Sequence, residues 1–146
     1  LQMERRGYPK ASFILIEAHG TPDAVQFGIA SRYDAQGMGE EGRQFGTRHL
    51  KGRGVIRFGE RFIVSNAPVV WNSCSTGAEG GISENVSDVW DLEMIAPSAP
   101  CSIDNIELDE TPQAVRVRRV SYIGVDQDDG KPPEERRFVR GRLRRA

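Results

Sequence analysis

Apolar residues in this chain come in short runs separated by glycine, proline and polar turns. That spacing predicts strands joined by turns. Phe13-Ile14-Leu15-Ile16 is a continuous apolar run, the pattern of a buried strand. Val25, Phe27 and Ile29 alternate with Gln26 and Gly28, the pattern of a half-buried one. The segment 55–64, Val-Ile-Arg-Phe-Gly-Glu-Arg-Phe-Ile-Val, reads as a hairpin. Its Gly59-Glu60 suits a two-residue turn with glycine first, and that register pairs Ile56 with Ile63. Pro68-Val69-Val70-Trp71 follows, and then a strand over 89–94 with Trp90, Leu92 and Met94 on one face.

Two further strands are predicted over 103–108 and 114–125, the second closed by the turn Asp126-Gln127-Asp128-Asp129-Gly130. Pro132-Pro133 is a break. The remainder, 134–146, has glutamates first and arginines last, which suits the dipole of a short terminal helix. Many short strands with turn signals between them predict an all-β barrel or sandwich. The expected interior includes Phe13, Leu15, Phe27, Ile56, Ile63, Val70 and Trp90.

At 146 residues the chain suits one domain, with enough interior to fold without a metal or disulfide. Its net charge of -1 hides an uneven distribution. Residues 84–110 carry eight acidic side chains and no Lys or Arg, whereas 134–146 carry six Arg against two Glu. Only Phe138 interrupts that basic tail, so it offers no stacking platform for a nucleic acid. Its expected partner is an acidic protein surface, either this chain's own acidic band or that of a neighbouring copy. No run approaches the roughly 20 apolar residues of a membrane span. The polar start, Leu1-Gln2-Met3-Glu4-Arg5-Arg6, predicts no secretory leader.

Candidate chemistry is sparse. Cys74 and Cys101 fit neither a metal framework nor a disulfide scaffold, and two free thiols in a reducing cytoplasm are expected. His19 and His49 share no spacing with a third metal ligand, which makes them surface histidines. Cys74 with His49 would suggest a cysteine hydrolase, but Asn72-Ser73-Cys74-Ser75-Thr76-Gly77 matches no nucleophile motif. Asp126, Asp128 and Asp129 echo a calcium loop, but Arg137 stands where the closing Glu belongs, so a turn is the better reading.

The opening Glu4-Arg5-Arg6-Gly7-Tyr8-Pro9-Lys10 resembles the start of a PilZ domain, a family that places Arg-x-x-x-Arg before its first strand. Arg6 and Lys10 hold the matching positions, with Arg5 adjacent. Asp34-Ala35-Gln36-Gly37-Met38-Gly39 is similar to that family's Asp-x-Ser-x-x-Gly, with Gln36 in place of Ser. Gly46-Thr47-Arg48, Ala67-Pro68-Val69-Val70-Trp71 and Gly80-Gly81-Ile82-Ser83 resemble later PilZ strands, in family order. The resemblance covers residues 4–96. Residues 97–146 resemble no named family and are read as a C-terminal extension of the same domain, with extra strands and the terminal helix.

The resemblance implies an antiparallel PilZ-like β-barrel that acts as a cyclic di-GMP receptor in signalling, not as an enzyme, with no metal or other cofactor. Arg5, Arg6 and Lys10 would then bind phosphate and stack on guanine, and Asp34, Gln36 and Gly39 would complete the pocket. Arginine suits both tasks, because its planar fork matches phosphate and guanine edges and stacks on aromatic faces. Lys10 keeps the charge without the fork, and Gln36 keeps hydrogen bonding with a longer arm. Two alternatives stand beside this reading. One is a degenerate PilZ-type module that binds a protein partner or itself; the other is a β-sandwich subunit of a larger assembly.

Overall fold

Val69, Val70 and Trp71 follow one another without a polar residue, which suits a strand covered on both faces. A computed structural model describes residues 10–26, 44–46, 63–64, 66–125 and 132–144. In it these three residues are the centre of β5 (Val69–Asn72), and none is exposed. The first strands in chain order are β1 (Ile14–Glu17), β2 (His19–Thr21), β3 (Ala24–Gln26) and β4 (Gln44–Gly46). After β5 come helix α1 (Ile82–Trp90), β6 (Met94–Pro97), β7 (Cys101–Glu110), β8 (Val115–Gly124), β9 (Glu135–Val139) and β10 (Arg142–Arg144).

The described residues are thus mostly strand, with one helix. They form a five-stranded sheet in the order β1-β5-β6-β9-β10, a three-stranded sheet β2-β3-β4, and the β7-β8 ribbon. No closed barrel is found among them. The sheet's first three strands are parallel, with β5 between β1 and β6, where an antiparallel barrel was expected. Parallel neighbours need a crossover connection. Between β5 and β6 that crossover is α1, where the sequence had suggested strands at 80–83 and 89–94.

The helix wins locally because Ile82, Val86, Val89 and Trp90 recur at helical spacing and face the sheet. The Glu84 carboxylate folds back to accept from the Gly80 amide, placing negative charge at the positive end of the helix. Asp91, in the left-handed region at φ 52°, ends it.

A second correction concerns 134–146. β9 pairs antiparallel with β6 and turns back into β10. Phe138 explains why a strand prevails over a helix: it is buried opposite Met94, inside the same cluster as Trp71, Ile82 and Val86. The basic tail also meets the acidic band. Arg137 and Arg144 pair with Glu93 at 3.2 and 3.4 Å, and Arg140 pairs with Asp91 at 3.3 Å.

The sheet is covered on both sides. Val69, Trp71, Met94 and Phe138 face α1, whereas Val70 and Ile95 face the ribbon through Val117, Val120 and Tyr122. The predicted strand pair at 103–108 and 114–125 is this ribbon. The Tyr122 hydroxyl fastens it by donating to the Trp71 carbonyl at 3.0 Å. Of the expected interior residues, Val70 and Ile63 are buried, and Phe13 and Trp90 pack at the edges of the clusters. Leu15 is 45% exposed, because it alternates out of the sheet where the ribbon does not reach. Phe27 and Ile56 lie outside the described residues, as does most of the 55–64 hairpin.

Burial holds the Tyr122 phenol far above its usual range and pushes the Cys101 thiol from 9.0 up to about 12, with the Cys74 sulfur adding to the rise at Cys101. Both groups are neutral when protonated, so the folded state keeps protons that the unfolded chain releases. Their stabilisation is complete below their ordinary values and is lost as pH rises. Denaturation midpoints are therefore expected to fall from about pH 9 toward pH 12, and the fall should be shallower in Cys101→Ser. A flat profile over that window would contradict this assignment.

Candidate functional site

In the register between β1 and β5, Ile14 lies opposite Val69, Leu15 opposite Val70, Ile16 opposite Trp71 and Glu17 opposite Asn72. Side chains alternate, so Leu15, Val70, Glu17 and Asn72 share one face. The Glu17 carboxylate accepts from the Asn72 side-chain amide at 3.0 Å on that face. Beyond Glu17 and Asn72 the paired register ends, and the chain passes into β2, which pairs with β3 in a separate sheet.

The chain stays close to the segment after β5 beyond the end of β1. The Ala18 amide still donates to the Asn72 carbonyl at 3.4 Å. Gly20 lies directly against the Cys74 backbone: a Cβ at Gly20 would stand 2.6 Å from the Cys74 carbonyl oxygen and 2.8 Å from its nitrogen. Only glycine permits that approach. His19 and Cys74 thus both follow the carboxyl ends of two adjacent parallel strands, the end at which open sheets carry their ligand sites. The Gly20 Cβ direction faces Cys74, so the neighbouring His19 side chain alternates to the other face of β2.

Eight residues before α1 begins at Ile82, Cys74 lies in the turn that follows β5. Ser75, immediately after it, has φ 58°, a left-handed conformation that non-glycine residues seldom adopt and that clusters at functional sites. The turn is pinned from several sides. The Ser75 amide donates to Ala99 at 3.2 Å, the Gly77 amide to Pro97 at 2.8 Å, and the Thr76 hydroxyl to the Ser73 carbonyl at 2.7 Å. The β2–β3 turn is held against α1, whose Ile82 amide donates to the Pro22 carbonyl at 2.8 Å. His19 and Cys74 therefore sit on segments braced by both the sheet and the helix.

Cys74 is partly exposed and Cys101 is buried; neither is disulfide-bonded. The Cys74 thiol donates to the Cys101 carbonyl at 3.5 Å, and its sulfur accepts from the Cys101 amide at 3.4 Å. Asn72 fixes the same crossing by accepting from the Ile103 amide at 3.1 Å. His19 is exposed, and its ring makes no hydrogen bond to the thiol in this ligand-free arrangement. Bonds of that kind often tighten only with substrate present.

A cavity of about 560 Å³ opens at the other end of the sheet, beside Pro68, Leu92 and Glu93. Its Arg137, Arg140 and Arg144 are those already paired with Glu93 and Asp91. It is far from Cys74 along β5, and its charges serve the tail's docking. Among the described residues there is no cluster of three or more metal-ligating side chains, and no helix is long and apolar enough to cross a membrane.

Of the residues expected to bind cyclic di-GMP, Arg5, Arg6, Asp34, Gln36 and Gly39 lie outside the described residues. Lys10 is exposed just before β1, at the amino end of the sheet. His49, the histidine considered beside Cys74 in the sequence, is also outside them. The proximity that sequence reasoning missed is that of the His19-Gly20 segment to Cys74. A signal was present: each residue closely follows a four-residue strand with an apolar core, and each is followed by a turn former. What was not visible was that the two strands are parallel neighbours.

A prediction follows at Gly20. Gly20→Ala forces a methyl group into the Cys74 backbone and must displace one of the two segments. Any chemistry that Cys74 performs should fall by about 10²-fold, the scale of a 1 Å misplacement of reacting groups. The circular dichroism spectrum should be retained, because β2 lies outside the five-stranded sheet. Unchanged turnover would mean that the His19 segment does not position the site. No family model, curated protein or solved structure matches this chain.

Proposed function

We propose that this chain is a cysteine hydrolase of acyl compounds, with Cys74 as nucleophile and His19 as general base. One observation supports the reading: Cys74 is a partly exposed thiol in a braced turn past the end of β5, with the His19-Gly20 segment packed against its backbone. Thiol and imidazole together are the smallest set that performs covalent acyl transfer. In this scheme His19 takes the thiol proton as the Cys74 sulfur attacks the acyl carbon. The leaving amine or alkoxide departs with the proton from His19, and a thioester remains on Cys74. His19 then takes a proton from water, which attacks the thioester, releases the carboxylic acid and restores the thiol.

The test is a panel of 4-nitrophenyl esters, acyl thioesters and peptide coumarin amides, run on the wild type and on Cys74→Ala. Turnover of at least one class that is lost in Cys74→Ala supports the proposal. Turnover of none, or equal turnover by both proteins, rejects it.

A second reading rests on the resemblance of residues 4–96 to the PilZ family; of its expected ligand residues, Lys10 is exposed just before β1. On this reading the chain is a cyclic di-GMP receptor with a PilZ-like barrel, using Arg5, Arg6, Lys10, Asp34, Gln36 and Gly39. Charged hydrogen bonds contribute about 1.5–3 kcal/mol, so Arg6→Ala should weaken binding roughly tenfold or more. Lys10→Arg should strengthen it by restoring the planar fork. Calorimetry with cyclic di-GMP decides: no heat at high micromolar ligand, with no rescue by Lys10→Arg, excludes it.

A further inference from the structure

We propose that Cys74 and Cys101 form a redox modification site, in which a peroxide converts the two thiols into an intrachain disulfide that removes the nucleophile. This rests on the hydrolase reading for its consequence but not for its chemistry. The Cys74 sulfur lies 3.4 Å from the Cys101 amide nitrogen and 3.5 Å from its carbonyl oxygen. With an N–Cα bond of about 1.46 Å, the sulfur is within about 5 Å of the Cys101 Cα. The Cys74 sulfur thus already lies against the backbone of the residue a bridge would join.

The surroundings hold the two residues together. Cys74 is the second residue past the end of β5, and Cys101 opens β7. Asn72 ties these elements through Ile103, and the Ser75–Ala99 bond ties the turn to the approach of β7. Closing the bridge therefore asks for side-chain rotation and little backbone movement. The two thiols also differ in access. Cys74 is partly exposed and meets the oxidant first, whereas Cys101 is buried behind it. Burial keeps Cys101 protonated in its resting state, with its thiol pushed up to about 12, so it does not compete for the oxidant, and its proton must leave as it attacks the oxidised Cys74.

The step balances without a further reagent. The Cys74 thiolate attacks one oxygen of hydrogen peroxide, the O–O bond breaks, and sulfenic acid and hydroxide form. Hydroxide takes up the proton that the thiol lost, giving the first water. The Cys101 sulfur then attacks the Cys74 sulfur, the S–O bond breaks, and the Cys101 proton leaves with that oxygen as the second water. Two thiols are oxidised and one peroxide is reduced. A dithiol reductant reverses the bridge by exchange.

The experiment uses the full chain, fully reduced and then freed of reductant. It is treated with an equimolar amount of hydrogen peroxide, denatured in acid, and analysed for free thiols and for cross-linked peptides without reduction. The expected result is loss of both thiols, a Cys74–Cys101 cross-linked peptide at monomer mass, and full recovery with dithiothreitol. Cys101→Ser, lacking the resolving sulfur, should instead carry Cys74 on to sulfinic acid or into an intermolecular disulfide. If the wild type keeps Cys101 free while Cys74 is over-oxidised as in Cys101→Ser, the proposal is overturned. A bridge found only between two chains overturns it as well. Because the readout is a sulfur–sulfur bond, a chain that forms it without hydrolysing any acyl compound would sink the hydrolase reading alone. A hydrolase that never forms it would sink only this one.

Discussion

Cys74→Ala is expected to abolish acyl turnover, and His19→Ala to lower kcat/KM by about 10²–10⁴-fold, the usual contribution of a positioned general base. The two losses should not be equal. Without the sulfur there is no acceptor for the acyl group, and the remaining amides and binding surface give only residual assistance. Without the imidazole the sulfur remains and water can take its proton, so slow acylation survives. The double variant should be no worse than Cys74→Ala, because the two residues act as a unit and their effects do not add. Both variants should keep the wild-type melting temperature within a few degrees, since neither side chain belongs to a buried cluster. Michaelis–Menten kinetics on the best substrate of the panel, beside a thermal melt of each variant, separates loss of chemistry from loss of fold. Equal activity in His19→Ala and the wild type would remove His19 from the mechanism.

Phe138→Ala is expected to destabilise the fold by about 3–5 kcal/mol, the usual cost of deleting a large aromatic from a core. Phe138 has no exposed surface and lies in the cluster shared by β5, β6 and α1. The cavity it leaves would open between Met94 on β6 and the helix. Its β9 neighbours are held by Arg137, which donates to the Val117 and Arg118 carbonyls at 2.9 Å each, so the strand has little freedom to collapse into the gap. Leu15→Ala provides the contrast. It removes a side chain that is 45% exposed and should cost well under about 2 kcal/mol. Urea denaturation of both variants checks the pair. Equal costs at the two positions would mean that the burial assigned to 134–146 is wrong.

These residues also show what the sequence made legible. Runs of apolar residues located the strands at 13–16, 69–71 and 103–125, because burial on one or both faces writes itself directly into composition. Direction is not written there. Nothing in Phe13-Ile14-Leu15-Ile16 or Pro68-Val69-Val70-Trp71 says that the two strands run parallel, and on that the nearness of the His19-Gly20 segment to Cys74 depends. Helix α1 was masked by Gly80-Gly81 and by the alternation of Trp90, Leu92 and Met94. That alternation straddles the αL residue Asp91, so its apparent period of two is a helix end followed by a strand start.

The tail was misread for a different reason. Its glutamates and arginines suit a helix dipole, but tertiary context overrides a local preference of a few tenths of a kcal/mol to about 1 kcal/mol. Burial of Phe138 and the antiparallel pairing with β6 supply that context. Cys74 with His49 is set aside in the sequence for want of a nucleophile motif, and the packing of the His19-Gly20 segment against Cys74 is announced by no motif either.

The most direct test of the pairing is acid-quench mass spectrometry of the full chain mixed with a 4-nitrophenyl ester, in the wild type and in His19→Ala. Acid preserves a thioester, so the acylated peptide and its lifetime are both read. The account predicts a transient acyl group on the peptide containing Cys74 and none on Cys101. In His19→Ala that group should form more slowly and persist longer, since both attack and hydrolysis use the same base. Acylation elsewhere in the chain, or a Cys74 thioester that forms and decays identically in the two proteins, would contradict it.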